Sequence, residues 1–155
     1  METNHVSLIE VTKENWYEVC KLSRTLTPDQ RKCVADNSMS IAQAHFNANA
    51  WYRAIALDQV PIGFVMMDID FQADIQEDNP SHVLWRFMIG EPWQKKGYGK
   101  QALDILFDQY RREGIRTIYT SCHMEEYGPY GFYMKYGFVD LGFMEDNEEV
   151  LKLVL

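Results

Sequence analysis

Apolar and polar positions along the chain switch between a period of two, the mark of a half-buried strand, and the 3.6-residue period of a helix. Val6, Leu8 and Val11, with Ile9 between them, predict a first strand of about six residues. Thr12 is placed to cap a helix whose apolar positions are Trp16, Val19, Cys20 and Leu22. Two further short helices are expected between residues 27 and 47. Thr27-Pro28-Asp29 starts one with proline at its first position, and Asn37-Ser38 precedes Ile41, Ala44, His45 and Phe46 in the other. Residues 52–57 and 62–69 then predict a hairpin joined through Asp58-Gln59-Val60-Pro61, with Gly63 a bulge or a point of close approach. A polar loop follows over 70–81.

The organising stretch is residues 83–110. Val83-Leu84-Trp85 and Phe87-Met88-Ile89, interrupted only by Arg86, predict a mostly buried strand, and Gly90, Glu91 and Pro92 end it. Beyond Gln94-Lys95-Lys96-Gly97-Tyr98-Gly99-Lys100, the residues Ala102, Leu103, Leu106 and Tyr110 fall at helical spacing. A strand, glycine loop and helix in that order suit an anion. Glycines let the backbone approach a ligand, and the first helical amides lack internal partners at the positive end of the dipole. Gly114 then stops the helix, 116–121 predicts a strand, 128–136 a helix ended by Gly137, and 138–144 pairs through Asp146-Asn147 with 150–154. Helices interspersed among these strands predict an α/β (α+β) sandwich around a central, largely antiparallel sheet.

The 155 residues fit a single domain, 1–155, able to bury about 70% of its unfolded surface. A formal charge of −8 argues against a nucleic-acid partner and leans toward cationic ligands. Cys20, Cys33 and Cys122 are odd in number and lack metal spacing, and there is no signal peptide or long apolar span, so free thiols, a cytoplasmic setting and no membrane partner are expected. His5, His45, His82 and His123 supply no ligand pattern, and no metal site is expected. Cys122 and His123, adjacent at a strand end, should face opposite sides and so do not form a nucleophile pair.

The glycine loop has neither the three-glycine dinucleotide fingerprint nor the Gly-Lys-Ser/Thr of a P-loop. Gln94, Gly97 and Gly99 instead resemble the Gln/Arg-x-x-Gly-x-Gly/Ala signature of the GCN5-related N-acetyltransferase superfamily. Phe132-Tyr133-Met134-Lys135-Tyr136-Gly137-Phe138 resembles that superfamily's Leu-Tyr-Glu-Lys-x-Gly-Phe block. The resemblance implies about seven strands, two of them splayed apart at the cofactor site, and acetyl-CoA as co-substrate. Its pyrophosphate is expected on the amides of Gln94, Lys95, Lys96, Gly97, Tyr98, Gly99 and Lys100, and its pantetheine beside Met88, Ile89 and Gly90. Tyr133 is expected to face the cofactor sulfur, although aromatics at helical spacing also serve as core. Many members carry asparagine seven residues before that tyrosine and alanine four before it; this chain has Glu126 and Pro129.

The implied reaction is attack of a free amine on the thioester in a ternary complex. An alkylamine of pKa about 10.4 is neutral in only about one molecule in 2,500 at pH 7, about 4.6 kcal/mol, so a base or water relay is needed. Glu126 is the leading candidate, with Glu125, Asp68 and Asp70 as alternatives. Between Arg53 and Arg86 the chain has no lysine or arginine and six acids, Asp58, Asp68, Asp70, Asp74, Glu77 and Asp78, which either form a solvated loop or receive a polycation. The strand and glycine loop also resemble those of bacterial spermine/spermidine acetyltransferases. A small-molecule amine, a polyamine held by Asp68, Asp70 and Asp74, is accordingly the expected acceptor. Another small amine, such as an aminoglycoside or amino acid, and a non-catalytic acyl-CoA sensor are the alternatives, and a homodimer is compatible with the resemblance.

Overall fold

The computed structural model describes residues 4–69 and 81–155. Over them run strands β1 (Val6–Ile9), β2 (Ala50–Leu57), β3 (Val60–Asp68), β4 (Ser81–Ile89), β5 (Thr117–Cys122), β6 (Val139–Glu145) and β7 (Glu148–Val154), with helices α1 (Trp16–Lys21), α2 (Asn37–Ala44), α3 (Tyr98–Glu113) and α4 (Tyr130–Tyr136). The strands form one seven-stranded sheet in the order β1-β2-β3-β4-β5-β7-β6. Every neighbouring pair is antiparallel except β4 with β5. The mixed, largely antiparallel sheet expected from the hydropathy pattern is the one observed.

Side-chain alternation divides the core into two layers. On one face Leu103, Leu106 and Phe107 of α3 and Tyr133 of α4 pack against Ile62, Val65, Met67 and Leu84. On the other, Val19 of α1 and Leu22 lie against Ala54, Phe64, Met66 and Met88. Buried Asn37 fixes α2 to α1, its amide donating to Ser23 Oγ at 2.8 Å and its Nδ2 to Val19 O at 2.9 Å.

Several boundaries differ from expectation for local reasons. The first strand ends at Ile9 because the Asn15 side chain folds the following turn, with Nδ2 donating to Glu10 O at 2.9 Å and Oδ1 accepting from Thr12 N at 2.7 Å. Asn15, not Thr12, is therefore the residue preceding α1. Thr27-Pro28-Asp29 opens only a 3₁₀ turn, Gln30–Lys32, closed by reciprocal 3.2 Å bonds between Thr27 and Gln30 in the manner of a capping box. The β2–β3 connection is tighter than the four residues expected. Asp58 and Gln59 alone make it, at φ 49° and 72°, while Pro61 lies in β3 beside a register slip, where its missing N–H is tolerated. Gly63 is the anticipated close approach: a Cβ there would lie 2.5 Å from Met88 O. The Gly114 stop (φ 84°) and the Asp146-Asn147 hairpin (φ 48° and 65°) match the reading of the sequence, but β7 starts at Glu148, two residues early. Among the described residues no helix is long and apolar enough to cross a membrane.

Two irregularities in β4 position the site. The register slips between Met66 and Met67, leaving Trp85 as a bulge residue that bends β4 and re-aims its side chains. The parallel ladder to β5 covers only Ser81↔Thr117, His82↔Ile118 and Val83↔Tyr119. Beyond it the two strands part, and β4 runs on to Ile89 with one edge unpaired.

Candidate active site

The glycine loop begins where β4 ends. Gly90 N donates to Ile62 O at 2.8 Å, and a 3₁₀ turn, Glu91–Trp93, carries the chain to Gln94. Gln94 is fully engaged in holding this loop. Its amide donates to Glu91 O at 3.1 Å, its Nε2 donates to Ile89 O at 2.9 Å, and its Oε1 accepts from Gln30 Nε2 at 2.9 Å. Its place in the signature is thus explained by loop geometry, and the free amides start at Lys95. Lys95 at φ 60° and Gly97 at φ 85° turn the backbone into a left-handed concavity of the kind that gathers N–H groups around an anion. From Lys95 to Lys100 no backbone amide has a hydrogen-bond partner among the described residues. The first amide of α3 to find a backbone acceptor is that of Gln101, bonded to Gly97 O at 3.1 Å. Lys100 pairs with Asp104 at 2.7 Å, whereas no ion pair holds Lys95 or Lys96 among the described residues.

Gly99 packs the start of α3 against β4 and α4. A Cβ there would stand 3.4 Å from Phe87 Cζ and 3.5 Å from Phe132 Cζ, and these two rings stack at 5.7 Å. The loop, the end of β4 at Met88, Ile89 and Gly90, where Ile89 O and Gly90 N are already bonded, and this aromatic wall thus line one side of the opening between β4 and β5.

Tyr133 comes from α4 to the point where the strands part. It is buried, and its hydroxyl bonds Thr120 of β5. Thr120 Oγ1 gives its single proton to Leu84 O at 2.9 Å, so in the contact with Tyr133 the tyrosine is the donor. The chain Tyr133–Thr120–Leu84 fastens α4, β5 and β4 together where their ladder has ended. Burial, with a smaller contribution from nearby Cys122, raises the tyrosine above its ordinary pKa, so it stays protonated at neutral pH. Burial likewise pushes the Cys122 thiol up to about 12, and carboxylates led by Glu148 add to this.

The opposite face of the opening carries polar groups. Glu148 Oε2 accepts from Ser121 Oγ at 2.6 Å, and Oε1 lies 3.7 Å from His123 Nε2. Arg86 bonds Trp85 O at 3.0 Å and Gln43 of α2 at 3.2 Å, and its buried Nε has no partner. Burial lowers its pKa while the charge of Glu148 opposes that shift. Beside them the thiol of Cys33 is raised first by burial and then by the carboxylates of Glu125, Asp29 and Glu148, with Lys32 acting against them. Three separate parts of the chain thus bring a carboxylate within electrostatic reach of Cys33, that of Asp29 being paired with Lys32 at 2.9 Å.

Glu126 is exposed in the loop between β5 and α4 and has no hydrogen bond or ion pair among the described residues. Asp68 pairs with Ala50 and Val83 at the closed end of the opening, and alternation places it on the face of Phe64 and Met66. Asp70 and Asp74 lie outside the described residues. Reading the sequence alone missed Thr120, Ser121 and Glu148, because Thr120 meets Leu84 across 36 residues and Ser121 meets Glu148 across 27, with no local pattern to mark either contact.

The model of the acetyltransferase (GNAT) family matches residues 14–138. The chain belongs to that family. It is an N-acetyltransferase that uses acetyl-CoA. Curated protein sequences provide no match. Among solved structures, an acetyltransferase from Thermus thermophilus is similar over 100% of both chains at 18% identity and a TM-score of 0.73. PaiA N-acetyltransferase from Thermoplasma acidophilum, in complex with coenzyme A, covers 97% of this chain and 99% of its own at 15% identity and a TM-score of 0.68. A GNAT acetyltransferase from Elizabethkingia anophelis with acetyl-CoA bound covers 100% of both at 13% identity and a TM-score of 0.67. At these identities the likeness is one of fold.

Proposed function

We propose that this N-acetyltransferase acts on a primary amine of a small, cationic molecule, in its finest form a polyamine such as spermine or spermidine. The observation that carries the reading is the Glu148 carboxylate, held by Ser121 at 2.6 Å on the face of the sheet away from Tyr133. Asp68 on the same face and the net charge of −8 agree with it. A cation is drawn to that face by long-range attraction, while the anionic phosphates of acetyl-CoA fit the open amides of Lys95 to Lys100 on the other side. The coenzymes named with the PaiA and Elizabethkingia structures support that fit. Met88, Ile89 and Gly90, at the end of β4 past its ladder with β5, are the backbone beside which pantetheine would lie, and acetyl-CoA supplies the activated acyl group.

Tyr133 serves the leaving sulfur best as a hydrogen-bond donor. An ordinary tyrosine is already a weaker acid than a thiol by about 1.5 pKa units, and burial widens the gap. Its proton, held by Thr120, is released to the sulfur by a change of partner with no change in the protonation of the ring.

Arg86 favours a second reading, an amine that also bears a carboxylate, since a half-buried guanidinium with an unsatisfied Nε recognises such a group. Turnover with a panel of spermine, spermidine, a diamine, an aminoglycoside and an amino acid separates the two. For a polyamine, KM is expected to fall with each added positive charge. It should climb between 0.1 M and 1 M salt as the screening length contracts from about 10 Å to 3 Å, while KM for acetyl-CoA changes less. Inert polyamines beside a rapidly acetylated amino acid would remove the polyamine reading.

A further inference from the structure

We propose that Glu148, at the start of β7, is the general base that takes the proton from the attacking amine. The proposal rests on the amine reading above and names the group that makes it work at neutral pH. It follows from which side of the sheet each group occupies. In the β5–β7 ladder Ser121 is paired with Val150 and Cys122 with Glu149. Alternation therefore places Glu148 on the face of Ser121, as their 2.6 Å hydrogen bond confirms, and Glu149 on the face of Cys122 and α4. Arg86 lies on the Glu148 face too, since it is two residues from Met88 in the layer beneath α1 and α2 and reaches Gln43. Tyr133 comes from the other layer.

The opening between β4 and β5 is thus bracketed by Tyr133 on one side of the sheet and by Glu148 and Arg86 on the other. Glu148 is fixed there by Ser121 at 2.6 Å and His123 at 3.7 Å, and its charge opposes the effect of burial on Arg86. Acyl transfer needs two groups at one carbonyl: an acceptor for the amine proton on the face of the planar thioester that the amine attacks, and a donor for the sulfur, which lies in that plane and leaves from the tetrahedral intermediate. A thioester held in the opening with its sulfur near Tyr133 can turn one carbonyl face toward Glu148.

The carboxylate is also suited to the task. Its side chain is 30% exposed, so an amine can reach it. Ser121 holds one oxygen, leaving Oε1 for the substrate beside His123. Glu126, by contrast, is exposed on a loop with nothing to orient it.

In the transfer, the ammonium gives one proton to Glu148, and the freed lone pair forms the C–N bond as the carbonyl π electrons move to oxygen. Their return breaks the C–S bond and sends that electron pair to sulfur, where Tyr133 donates its hydrogen bond. The second nitrogen proton neutralises the thiolate, and Glu148 releases its own to water, giving amide, CoA thiol and one proton.

Glu148→Gln keeps an acceptor for Ser121 and tests the assignment on the amine of the panel that wild type acetylates fastest. At pH 7, kcat is expected to fall on the order of 10² to 10⁴. Calorimetric acetyl-CoA affinity and the thermal midpoint should stay near wild type, and Glu149→Gln on the opposite face should keep wild-type kcat. The pH profile carries the signature. The groups on the Glu148 face are His123, Arg86 and Cys33, with Lys152 further along the same face of β7 and stacked on Tyr119, while Tyr133 and Cys122 lie across the sheet. Wild-type kcat should level off below the pKa of the amine, whereas the variant should rise tenfold per pH unit toward about 10.4. Ser121→Ala, which leaves the carboxylate but frees it to rotate, should lower kcat several-fold without that change of profile, and it decides the matter should Glu148→Gln not fold. Wild-type kcat and profile in Glu148→Gln, unchanged kcat in Ser121→Ala, or transfer of the loss to Glu126→Gln overturns the base assignment alone. Absence of turnover by wild type with every amine overturns the amine reading and the base with it.

Discussion

Tyr133 illustrates how one side chain can be both core and chemistry. Its ring packs among Phe132 and Phe138 at centroid distances of 5.6 Å and 5.2 Å, while its hydroxyl alone reaches the parted strands. Tyr133→Phe keeps the packing and removes the donor. Because Thr120 goes on donating to Leu84, no buried proton is orphaned, and the stability loss is expected to stay within about 0.5–1.5 kcal/mol. A fall in kcat on the order of 10² to 10⁴ is expected, with acetyl-CoA affinity retained, and steady-state kinetics with calorimetry check it. Wild-type kcat would show that the hydroxyl is structural. This tyrosine was legible in the sequence because its neighbours Lys135, Gly137 and Phe138 form a local pattern. Glu148 was not, since its partner Ser121 is 27 residues distant and meets it only through a ladder register.

At the scale of elements, the two glycines of the loop are required for different reasons. Gly97, at φ 85°, has open space around it, its nearest neighbour being Gln101 Nε2 at 4.0 Å, so any side chain there meets backbone strain of about 1–2 kcal/mol without a clash. Gly99 has ordinary φ and little room. Alanine fits at contact distance, but the methyls of valine press on Phe87 and Phe132. Acetyl-CoA affinity by calorimetry should therefore weaken roughly tenfold or more, about 1.4 kcal/mol, in Gly97→Val and Gly99→Val, and remain near wild type in Gly99→Ala. Unchanged affinity in both valine variants would move the phosphates away from α3. The long elements were legible: α3 has a buried stripe of Ala102, Leu103, Leu106, Phe107 and Tyr110. The short ones between 27 and 36 were not, because a 3₁₀ turn such as Gln30–Lys32 is too brief for a hydrophobic period and is fixed by tertiary contacts such as Gln30 to Gln94.

For the whole molecule, buried acids that must stay neutral set an alkaline limit on stability. The Cys122 thiol, ordinarily at 9.0, titrates at about 12 in the fold, chiefly because burial excludes the thiolate. Its contribution is complete below about pH 9 and is lost as pH rises toward 12, since the unfolded chain releases the proton first. Tyr110, Tyr133 and Tyr136 are raised by burial in the same direction and steepen the loss at higher pH. Thermal midpoints are expected to hold up to about pH 9 and then decline, with Cys122→Ala showing a shallower decline between 9 and 12. A flat profile over that range would place the thiol in contact with solvent. The parted strands have a mechanical consequence as well. Four strands lie on one side of the short β4–β5 ladder and three on the other, joined by backbone bonds at three residue pairs and by the Thr120 hydroxyl. Beyond that joint no ladder pair links β4 to β5 among the described residues, so the two halves of the sheet are held at their angle there by the shared core of α3 and α4 in place of backbone bonds.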